Sequence, residues 1–276
     1  MVFPETRCKL AISESRHHGS SMKIALLSDI HANRQAFDAC LAHARAHGAR
    51  HIALLGDLVG YGGDPRYVVQ QAMALAAEGA TVLCGNHDAL AVLPPAALGK
   101  AADTGATRGA SWTHSQLSSE ERGFLAQLPL TAVVNHVMLV HASADAPERW
   151  RYVDNELVAG QCLDAALRHQ GVRHVFCGHV HEQMLYYRGT GHGLMRFAPL
   201  PGVPVPVPPR RAWVATIGSV GQPRDGDTRA MYALLDTAHW QLRFERVPYH
   251  HAEAAAAVRA TGALPESFAH RLETGR

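Results

Sequence analysis

Short apolar runs alternate with segments of helical periodicity along the first third of the chain. The runs at 23–28, 51–55 and 81–84 predict three buried strands. Between them, residues 33–47 carry apolar side chains at helical spacing, and the Asp-Pro pair that opens 64–77 is typical of a helix start. This alternation of strand and helix predicts a parallel sheet with right-handed crossovers.

The rest of the chain changes from helical to β-rich. Residues 94–129 are predicted to be a helical insertion, in which Ser118 and Glu121 supply a capping box. The apolar stretch 131–141 breaks at Asn135 and predicts a hairpin. The remaining predicted elements are a helix at 155–169, a strand at 173–177, β-rich sequence over 184–247 with strands at 213–217, 230–235 and 241–247, and an alanine-rich helix at 251–263.

Three segments carry expectations about domain organisation. Residues 199–209 contain six prolines, which predict an extended loop rather than a regular element. Residues 1–21 are polar, lack the apolar stretch of a secretory signal, and are expected to be a disordered extension. We expect 22–276 to form a single domain, with 251–276 as its C-terminal helix and tail.

The composition narrows the range of functions. With 26 Lys plus Arg against 24 Asp plus Glu, the formal net charge of +2 gives no broad basic surface for nucleic acid or an anionic membrane. No apolar run reaches the ~18 residues of a membrane span. The five cysteines are scattered without a CxxC pair, which argues against a disulfide framework or a thiolate zinc site and favours a cytoplasmic location. The 19 histidines suggest metal binding or acid–base chemistry, depending on their positions.

Polar motifs with metal-ligand chemistry follow the ends of predicted strands. In a parallel α/β sheet, the loops after the carboxyl ends of the strands converge on one edge. Two carboxylates, one amide and four imidazoles would form a ligand set suited to manganese, iron or zinc. Each motif alone is ambiguous, since Gly-Asp is typical of a turn and Asn86 could cap a helix. The motifs are Asp29-x-His31, Gly56-Asp57, Gly85-Asn86-His87-Asp88 and Gly178-His179-x-His181, together with His141 after an apolar run.

In this order, the motifs resemble the signature of the calcineurin-like metallophosphoesterases, and the resemblance extends from residue 22 to about 236. The segment 218–224 (GSVGQPR) makes the small bacterial and archaeal phosphodiesterase-like branch the most similar. The resemblance implies a four-layer αββα sandwich of two mixed β-sheets flanked by helices. It also implies a metal-dependent phosphoric ester hydrolase.

The resemblance further implies a role for each motif residue. One divalent ion would be held by Asp29, His31, Asp57 and His181, and a second by Asp57, Asn86, His141 and His179. Asp57 suits the bridging position, because a carboxylate can bind two cations whereas an imidazole cannot. His87 would face the substrate, either as a general acid or as a hydrogen-bond donor to a phosphate oxygen, while a metal-bridging hydroxide attacks phosphorus. Manganese is the expected metal, with iron, zinc, nickel or cobalt as alternatives.

Five further residues are weaker candidates. Asn33 and Arg34 begin a helix after the first motif, where a phosphate could bind, and Tyr61 could stack on a substrate ring. Arg224 resembles a family loop residue near the site, and Asp88 could orient His87 or its loop. Each also has an ordinary structural interpretation: a solvated first turn for Arg34, a loop aromatic for Tyr61, a turn for Arg224 and a helix cap for Asp88.

The second motif separates substrate classes. Protein phosphatases of this superfamily usually read G-D-x-V-D-R-G, whereas Gly60 and Tyr61 replace the acid and the arginine here. We therefore expect a small, nucleotide-like phosphodiester or phosphomonoester as substrate, with inorganic phosphate as product or inhibitor. A Ser/Thr protein phosphatase, a dinucleotide polyphosphate hydrolase and a non-catalytic metal-binding adaptor stay open as alternatives, as does a homo-oligomeric state. The near-neutral charge disfavours a nuclease.

Overall fold

Two mixed β-sheets of six strands each organise the chain. The computed structural model describes residues 22–98, 105–189 and 193–276, so the predicted extension 1–21 lies outside the described residues. The strands are β1 Lys23–Leu27, β2 His51–Leu54, β3 Thr81–Val82, β4 Thr131–Val134, β5 Val137–Val140, β6 His174–Cys177, β7 Gln183–Arg188, β8 Leu194–Phe197, β9 Pro204–Pro206, β10 Trp213–Ile217, β11 Ala230–Asp236 and β12 Gln241–Val247. The helices are α1 Arg34–Ala46, α2 Pro65–Ala77, α3 Asn86–Ala91, α4 Gly105–Gln116, α5 Ser119–Gln127, α6 Glu156–Ala166, α7 His251–Ala260 and α8 Glu266–Thr274, with short 3₁₀ helices at Pro95–Leu98 and Pro147–Arg149.

Each sheet has a parallel part and an antiparallel part. The first sheet has the strand order β3-β2-β1-β11-β12-β9 and the second the order β4-β5-β6-β10-β7-β8. Strands β1, β2 and β3 pair in parallel, as do β5, β6 and β10. The other pairs are antiparallel. The parallel arrangement predicted for the first three strands is confirmed.

The layers follow from strands that are buried on both faces. Along β1, Ile24 and Leu26 belong to the apolar cluster between the sheets, which also contains Phe176 of the second sheet. Alternate residues of a strand point to opposite faces, so Ala25 and Leu27 instead pack in the cluster beneath α1 and α2. Helix α6 covers the outer face of the second sheet in a cluster of its own. The predicted αββα sandwich is confirmed.

The proline-rich stretch differs from the prediction. Pro204–Pro206 forms β9, an edge strand paired with β12, so the expectation of a loop without elements over 199–209 was wrong. Proline is tolerated at a sheet edge, because alternate N–H groups there point away from the neighbouring strand. Val207 donates its N–H to the carbonyl of Trp240 at 2.8 Å, which continues the pairing.

The C-terminal tail is also more regular than expected. Helix α7 ends at Ala260 rather than at 263, and the tail that follows contains α8. Phe268 and Leu272 lie on one face of α8 and are buried against α7. Gly275 ends the helix with a φ of +70°, in the left-handed region that favours glycine.

Other predicted details are present in the structure. The Ser118 hydroxyl accepts the N–H of Glu121, and the Glu121 carboxylate accepts the N–H of Ser118, which caps α5. Strands β4 and β5 form the predicted hairpin. The four cysteines within the described ranges are buried free thiols. Over those same ranges, no helix combines the length and the apolar character that crossing a bilayer requires.

Candidate metal centre

Polar loops from both sheets meet beyond the carboxyl ends of five strands. The loops follow β1, β2 and β3 of the first sheet and β5 and β6 of the second. All the motif side chains named as ligands or acid are at most 7% exposed, except Asn86, which is partly buried. These buried residues are Asp29, His31, Asp57, His87, His141, His179 and His181.

The backbone of these loops is unusual. Five of the clustered residues have φ between 49° and 67°, in the left-handed region, which costs roughly 1–2 kcal/mol for a residue with a side chain. Two backbone N–H groups fix the carboxylates: that of His179 donates to Asp29 Oδ2, and that of His87 donates to Asp57 Oδ1, both at 2.8 Å. The left-handed residues are Asp29, His31, Asp57, His179 and His181.

Asp29, His31 and His181 form a first cluster, whose ligand atoms all lie within 4.8 Å of one another. His181 Nε2 is 3.2 Å from Asp29 Oδ1 and 3.2 Å from His31 Nε2. Asp29 Oδ1 is buried, and no group among the described residues donates a hydrogen bond to it. Two imidazole nitrogens and one carboxylate oxygen thus lie close together in this cluster.

Asp57, His141 and His179 form a second cluster, and Asn86 lies beside it. His141 Nε2 is 3.4 Å from Asp57 Oδ2, 3.2 Å from Asn86 Oδ1 and 3.2 Å from His179 Nδ1. Asp57 Oδ2 is also 3.8 Å from His31 Nε2 of the first cluster. Asp57 is therefore the residue that lies between the two clusters.

Three histidines have their protons fixed on the outer ring nitrogen. A carbonyl oxygen only accepts, so each Nδ1 carries a proton, and each ring in its neutral form presents an Nε2 lone pair inward. The facing lone pairs of His31 and His181 cannot hydrogen-bond to each other, and a cation between them would satisfy both. Ligand histidines typically have such an outer bond to a carbonyl. The bonds are His31 Nδ1 to Val59 (3.1 Å), His141 Nδ1 to Leu55 (2.9 Å) and His181 Nδ1 to Gln222 (2.7 Å).

Burial and charge act in opposite directions in the second cluster. Burial alone would lower the pKa of His141, but the Asp57 carboxylate outweighs it and raises that pKa to about 9. Burial alone would raise the pKa of Asp57, but the neighbouring His141 and His87 hold it well below its usual range. Without a cation, a proton between His141 and Asp57 satisfies both groups, and a metal ion has to displace it.

His87 lies beside the clusters and has room for its ring because residue 60 is glycine. Its ring centroid is 5.1 Å from that of His31 and 4.5 Å from that of Tyr61. A Cβ on Gly60, whose φ is +91°, would approach His87 Nδ1 to 2.7 Å. Among the described residues, no side chain or backbone group hydrogen-bonds to its ring nitrogens. His87 also groups with His31 and Asp57 within 4.8 Å, so distance alone permits a ligand role.

Asp88 contacts the backbone of two loops rather than the His87 ring. Its Oδ2 accepts the N–H of Gly85 at 2.9 Å, and its Oδ1 accepts the N–H of Val59 at 3.2 Å. Burial, followed by the charge of Asp57, raises the pKa of Asp88 to about 7. The carboxyl group therefore caps α3 and joins the loop that carries His87 to the loop that precedes Gly60.

Asn33 and Arg34 have structural partners of their own. The Asn33 side chain caps α1 through a 3.1 Å hydrogen bond and donates to the carbonyl of Gly221 at 2.9 Å. The guanidinium of Arg34 lies 4.3 Å above the ring of Tyr67 and is half exposed. The structure thus places Asn33 close to the clusters, in a small cavity that His31 also lines, and places Arg34 on the outer surface.

Tyr61 and Arg224 lie at the rim of the site. The Tyr61 ring is 4.8 Å from the ring of His31, between centroids, and it also contacts His87. The Arg224 guanidinium is 5.9 Å from the Tyr61 ring centroid and donates to Gln222 Oε1 at 2.8 Å. Both side chains border the approach to the clusters.

The structure adds residues that the sequence analysis did not single out. Tyr152 is 52% exposed and stacks on His179 with ring centroids 4.0 Å apart. Phe268 of α8 packs edge-on against Tyr61 at 4.8 Å, and α8 also brings Arg271 to the rim. Tyr152 belongs to no motif, and α8 lies far along the chain from the last motif. The amphipathic spacing of α8 was the available signal.

Comparisons with known proteins found relatives in sequence and in fold. The sequence model of the calcineurin-like phosphoesterase superfamily domain matches residues 22–239. The crystal structure of a metallophosphoesterase from Sphaerobacter thermophilus is 32% identical and superposes with a TM-score of 0.79, covering 93% of this chain and 100% of that one. An uncharacterized protein of Methanocaldococcus jannaschii is 30% identical over 257 residues, which is 92% of this chain and 98% of that protein.

A more distant structure shows the same fold. The crystal structure of a hypothetical protein from Pyrococcus horikoshii has a TM-score of 0.71 at 18% identity, and the match covers 92% of this chain and 98% of that one. The superfamily match spans β1 to β11 and all the clustered polar residues, whereas α7 and α8 lie beyond it. The chain therefore belongs to the calcineurin-like phosphoesterase superfamily.

Proposed function

We propose that this protein is a dinuclear metal-dependent hydrolase of small, nucleotide-like phosphodiesters or phosphomonoesters. One observation carries the proposal: inward-facing acceptor atoms converge on Asp57 Oδ2 from both clusters, with His31 Nε2 at 3.8 Å and His141 Nε2 at 3.4 Å. Backbone carbonyls hold the protons of both rings on the outer nitrogens, so cations are the natural complement of these acceptors. Membership of the superfamily supports hydrolysis of phosphoric esters.

The two clusters divide the ligands between two ions. The mixture of carboxylate, amide and imidazole without thiolate favours manganese, with iron, zinc, nickel or cobalt as alternatives. When bound, such a pair polarises phosphoryl oxygens and lowers the pKa of water. One ion would be held by Asp29, His31, His181 and Asp57, and the other by Asp57, Asn86, His141 and His179.

We assign His87 to the substrate rather than to an ion. Its ring borders the open rim at Tyr61, and it lacks the outer hydrogen bond to a carbonyl that anchors His31 and His141. From this position it can donate a proton to the leaving oxygen or a hydrogen bond to a phosphoryl oxygen. Such a group typically contributes ~10²–10⁴-fold to the rate. Gly60 leaves room for the ring, because it has no Cβ. Asp88 positions the ring indirectly, by accepting the backbone N–H of Val59.

Aromatic side chains support a substrate with a planar group. Tyr152 is 52% exposed beside His179, and Tyr61 lies at the rim beside His87. A base that stacks on an exposed aromatic ring gains ~1–3 kcal/mol. Gly60 stands where the protein-phosphatase motif has an acid, and this difference favours a small ester over a phosphoprotein.

Metal removal and readdition tests the proposal. The chelated protein should not hydrolyse bis(p-nitrophenyl) phosphate, and readdition of Mn²⁺ should restore turnover. Parallel assays with p-nitrophenyl phosphate, a dinucleotide polyphosphate and a phosphoserine peptide then rank the substrate classes. A protein that binds two ions but hydrolyses none of these esters with any of the named metals would be an adaptor instead.

A further inference from the structure

Two arginines meet at the rim of the candidate metal centre. Arg224 lies in the loop after β10, and Arg271 lies on α8. Arg224 Nη2 donates to Gln222 Oε1 at 2.8 Å, and Arg271 Nη1 approaches the same oxygen at 3.4 Å. One neutral amide oxygen thus holds two guanidinium groups close together.

The two positive charges are not neutralised by the protein. Across the described ranges, neither Arg224 nor Arg271 forms an ion pair with a carboxylate, whereas nearby Arg246 pairs with Asp225. Arg271 Nε is buried and finds no acceptor in the part of the chain that the structure describes. Burial, followed by the charge of Arg224, lowers the pKa of Arg271. An anion shared by the two groups would remove their repulsion and satisfy the buried donor.

Gln222 connects this arginine pair to the first cluster. Its backbone carbonyl accepts Nδ1 of His181 at 2.7 Å, while its side-chain oxygen contacts the arginines. The Tyr61 ring approaches both groups, with its centroid 5.9 Å from the Arg224 guanidinium and 4.5 Å from the His87 imidazole centroid. Within the described residues, the two guanidinium groups contact Gln222 and Tyr61 rather than the side chains of the clusters. The arginine pair therefore borders the clusters at the rim.

Helix α8 holds Arg271 in a fixed position. Phe268, on the preceding turn, packs against the rim of the site. Arg259 of α7 pairs with both Glu266 and Glu273, which lie on either side of Arg271 along α8. The guanidinium is thus presented from an anchored helix, as a site that recognises a defined anion requires.

We propose that Arg224 and Arg271 bind a second phosphoryl group of the substrate, one that is not hydrolysed. The inference rests on the proposed function and narrows its substrate class to small organic phosphates that carry two phosphoryl groups. Two guanidinium groups offer paired N–H donors that match the oxygens of a phosphate. A substrate bound both at the metal centre and at the arginine pair has its scissile bond oriented before reaction.

Titration of the metal-free protein with inorganic pyrophosphate tests the anion site by itself. By calorimetry, binding should weaken about tenfold to a hundredfold in Arg271→Gln and in Arg224→Gln, because each loses a charge-assisted contact. Arg271→Lys keeps the charge and should retain part of the affinity. Arg229→Gln is the matched control, since Arg229 follows the same strand but pairs with Asp227. Equal affinity in all variants, or no binding by the wild-type protein, would overturn the proposal.

A matched pair of esters tests the link to hydrolysis. The p-nitrophenyl ester of thymidine 5′-phosphate and its 3′-phosphorylated form share the scissile bond and differ by one phosphoryl group. With the metal-loaded protein, the 3′-phosphorylated ester should have the lower KM, and Arg271→Gln should remove this advantage while Arg229→Gln keeps it. No preference in the wild-type protein, or equal losses on both esters, would contradict the proposal.

The two proposals can fail separately. If the loaded protein hydrolyses neither ester but pyrophosphate still binds through Arg224 and Arg271, the hydrolase function is wrong and the anion site stands. If both esters are hydrolysed and the arginine variants match wild type in KM and in pyrophosphate affinity, the hydrolase stands and the anion site is wrong. Thermal denaturation of each variant separates loss of binding from loss of fold.

Discussion

The two Asp/His clusters lie on either side of Asp57 but are anchored differently. In the first cluster, both His31 and His181 donate their outer Nδ1–H to a backbone carbonyl. In the second, only His141 has such an anchor. His179 turns Nδ1 inward, and its buried Nε2 has no hydrogen-bond partner among residues 22–98, 105–189 and 193–276. Backbone carbonyls thus fix the orientation of both histidine rings in the first cluster, but of only one of the two rings in the second.

This difference indicates which side of the centre is open. His179 is 6% exposed and rests against the ring of Tyr152, which is 52% exposed, whereas His31 and His181 are 1% and 3% exposed. Outer hydrogen bonds hold ligand histidines in orientation, and their loss typically costs about 10- to 100-fold in metal affinity. We therefore expect a firmly held ion in the first cluster and a more exchangeable one in the second.

Asp57→Asn should break both clusters at once and has the largest expected effect. An amide does not bridge two cations as a carboxylate does, so metal content should fall from two ions to one or fewer. Turnover of bis(p-nitrophenyl) phosphate should drop more than about 10⁴-fold, as when a catalytic unit is removed. Metal analysis and initial rates measure the two effects. Asp164→Asn, which removes only a surface pair with Arg188, is the control. Full occupancy with near wild-type turnover would refute the bridging role.

His87→Ala should leave both clusters loaded and lower the rate about 10²–10³-fold. The loss should be larger for esters with poor leaving groups, since these depend more on a proton donor. Metal analysis together with rates on a series of aryl esters measures both. His239→Ala, at a side chain 71% exposed, is the matched control. A collapse of metal content would instead make His87 a ligand, alongside His31 and Asp57.

Stepwise chelation should remove the two ions one after the other. The ion of the second cluster should leave first, with an affinity about 10- to 100-fold weaker than that of the first. A competition titration of the manganese-loaded protein with a chelator, followed by electron paramagnetic resonance, measures the two constants. His179→Asn should remove the weaker constant and His181→Asn the stronger one. Release of both ions with a single constant would remove the distinction between the clusters.

Tyr152→Ala should have the smallest effect and should act on the second cluster alone. Loss of the stacked ring leaves His179 freer to turn, so the weaker metal constant should fall by about tenfold or less. Stability should hardly change, because Tyr152 is 52% exposed. Phe197→Ala, at another exposed aromatic, is the control. An equal change in both metal constants would show that the ring acts on the whole centre.

The convergence of the motifs could be predicted because its signals are local. Asp29 and Asp57 directly follow buried strands whose apolar runs are clear, and the geometry of parallel strands then brings their loops together. That His141 and His181 join them from the second sheet was an implication of the resemblance, and the structure places both within 3.4 Å of an aspartate oxygen.

The rest depends on contacts between segments that are distant in sequence. Tertiary packing, which no local pattern encodes, sets three features of the site. They are the inward-facing nitrogen of His179, the stacking of Tyr152 on that ring, and the position of α8. Arg34 occupies a helix start that suits phosphate, yet its side chain lies over Tyr67, because packing rather than position sets the rotamer. Strand β9 was missed because its prolines disfavour a central strand but not an edge.

The left-handed backbone of the five clustered residues has a consequence for thermal behaviour. Each such residue makes the native state less favourable by roughly 1–2 kcal/mol, and cations that bind only the native arrangement offset this. The Tm should accordingly climb with the concentration of free manganese. Removal of the ions by a chelator should then lower the folded fraction of the protein as well as its turnover.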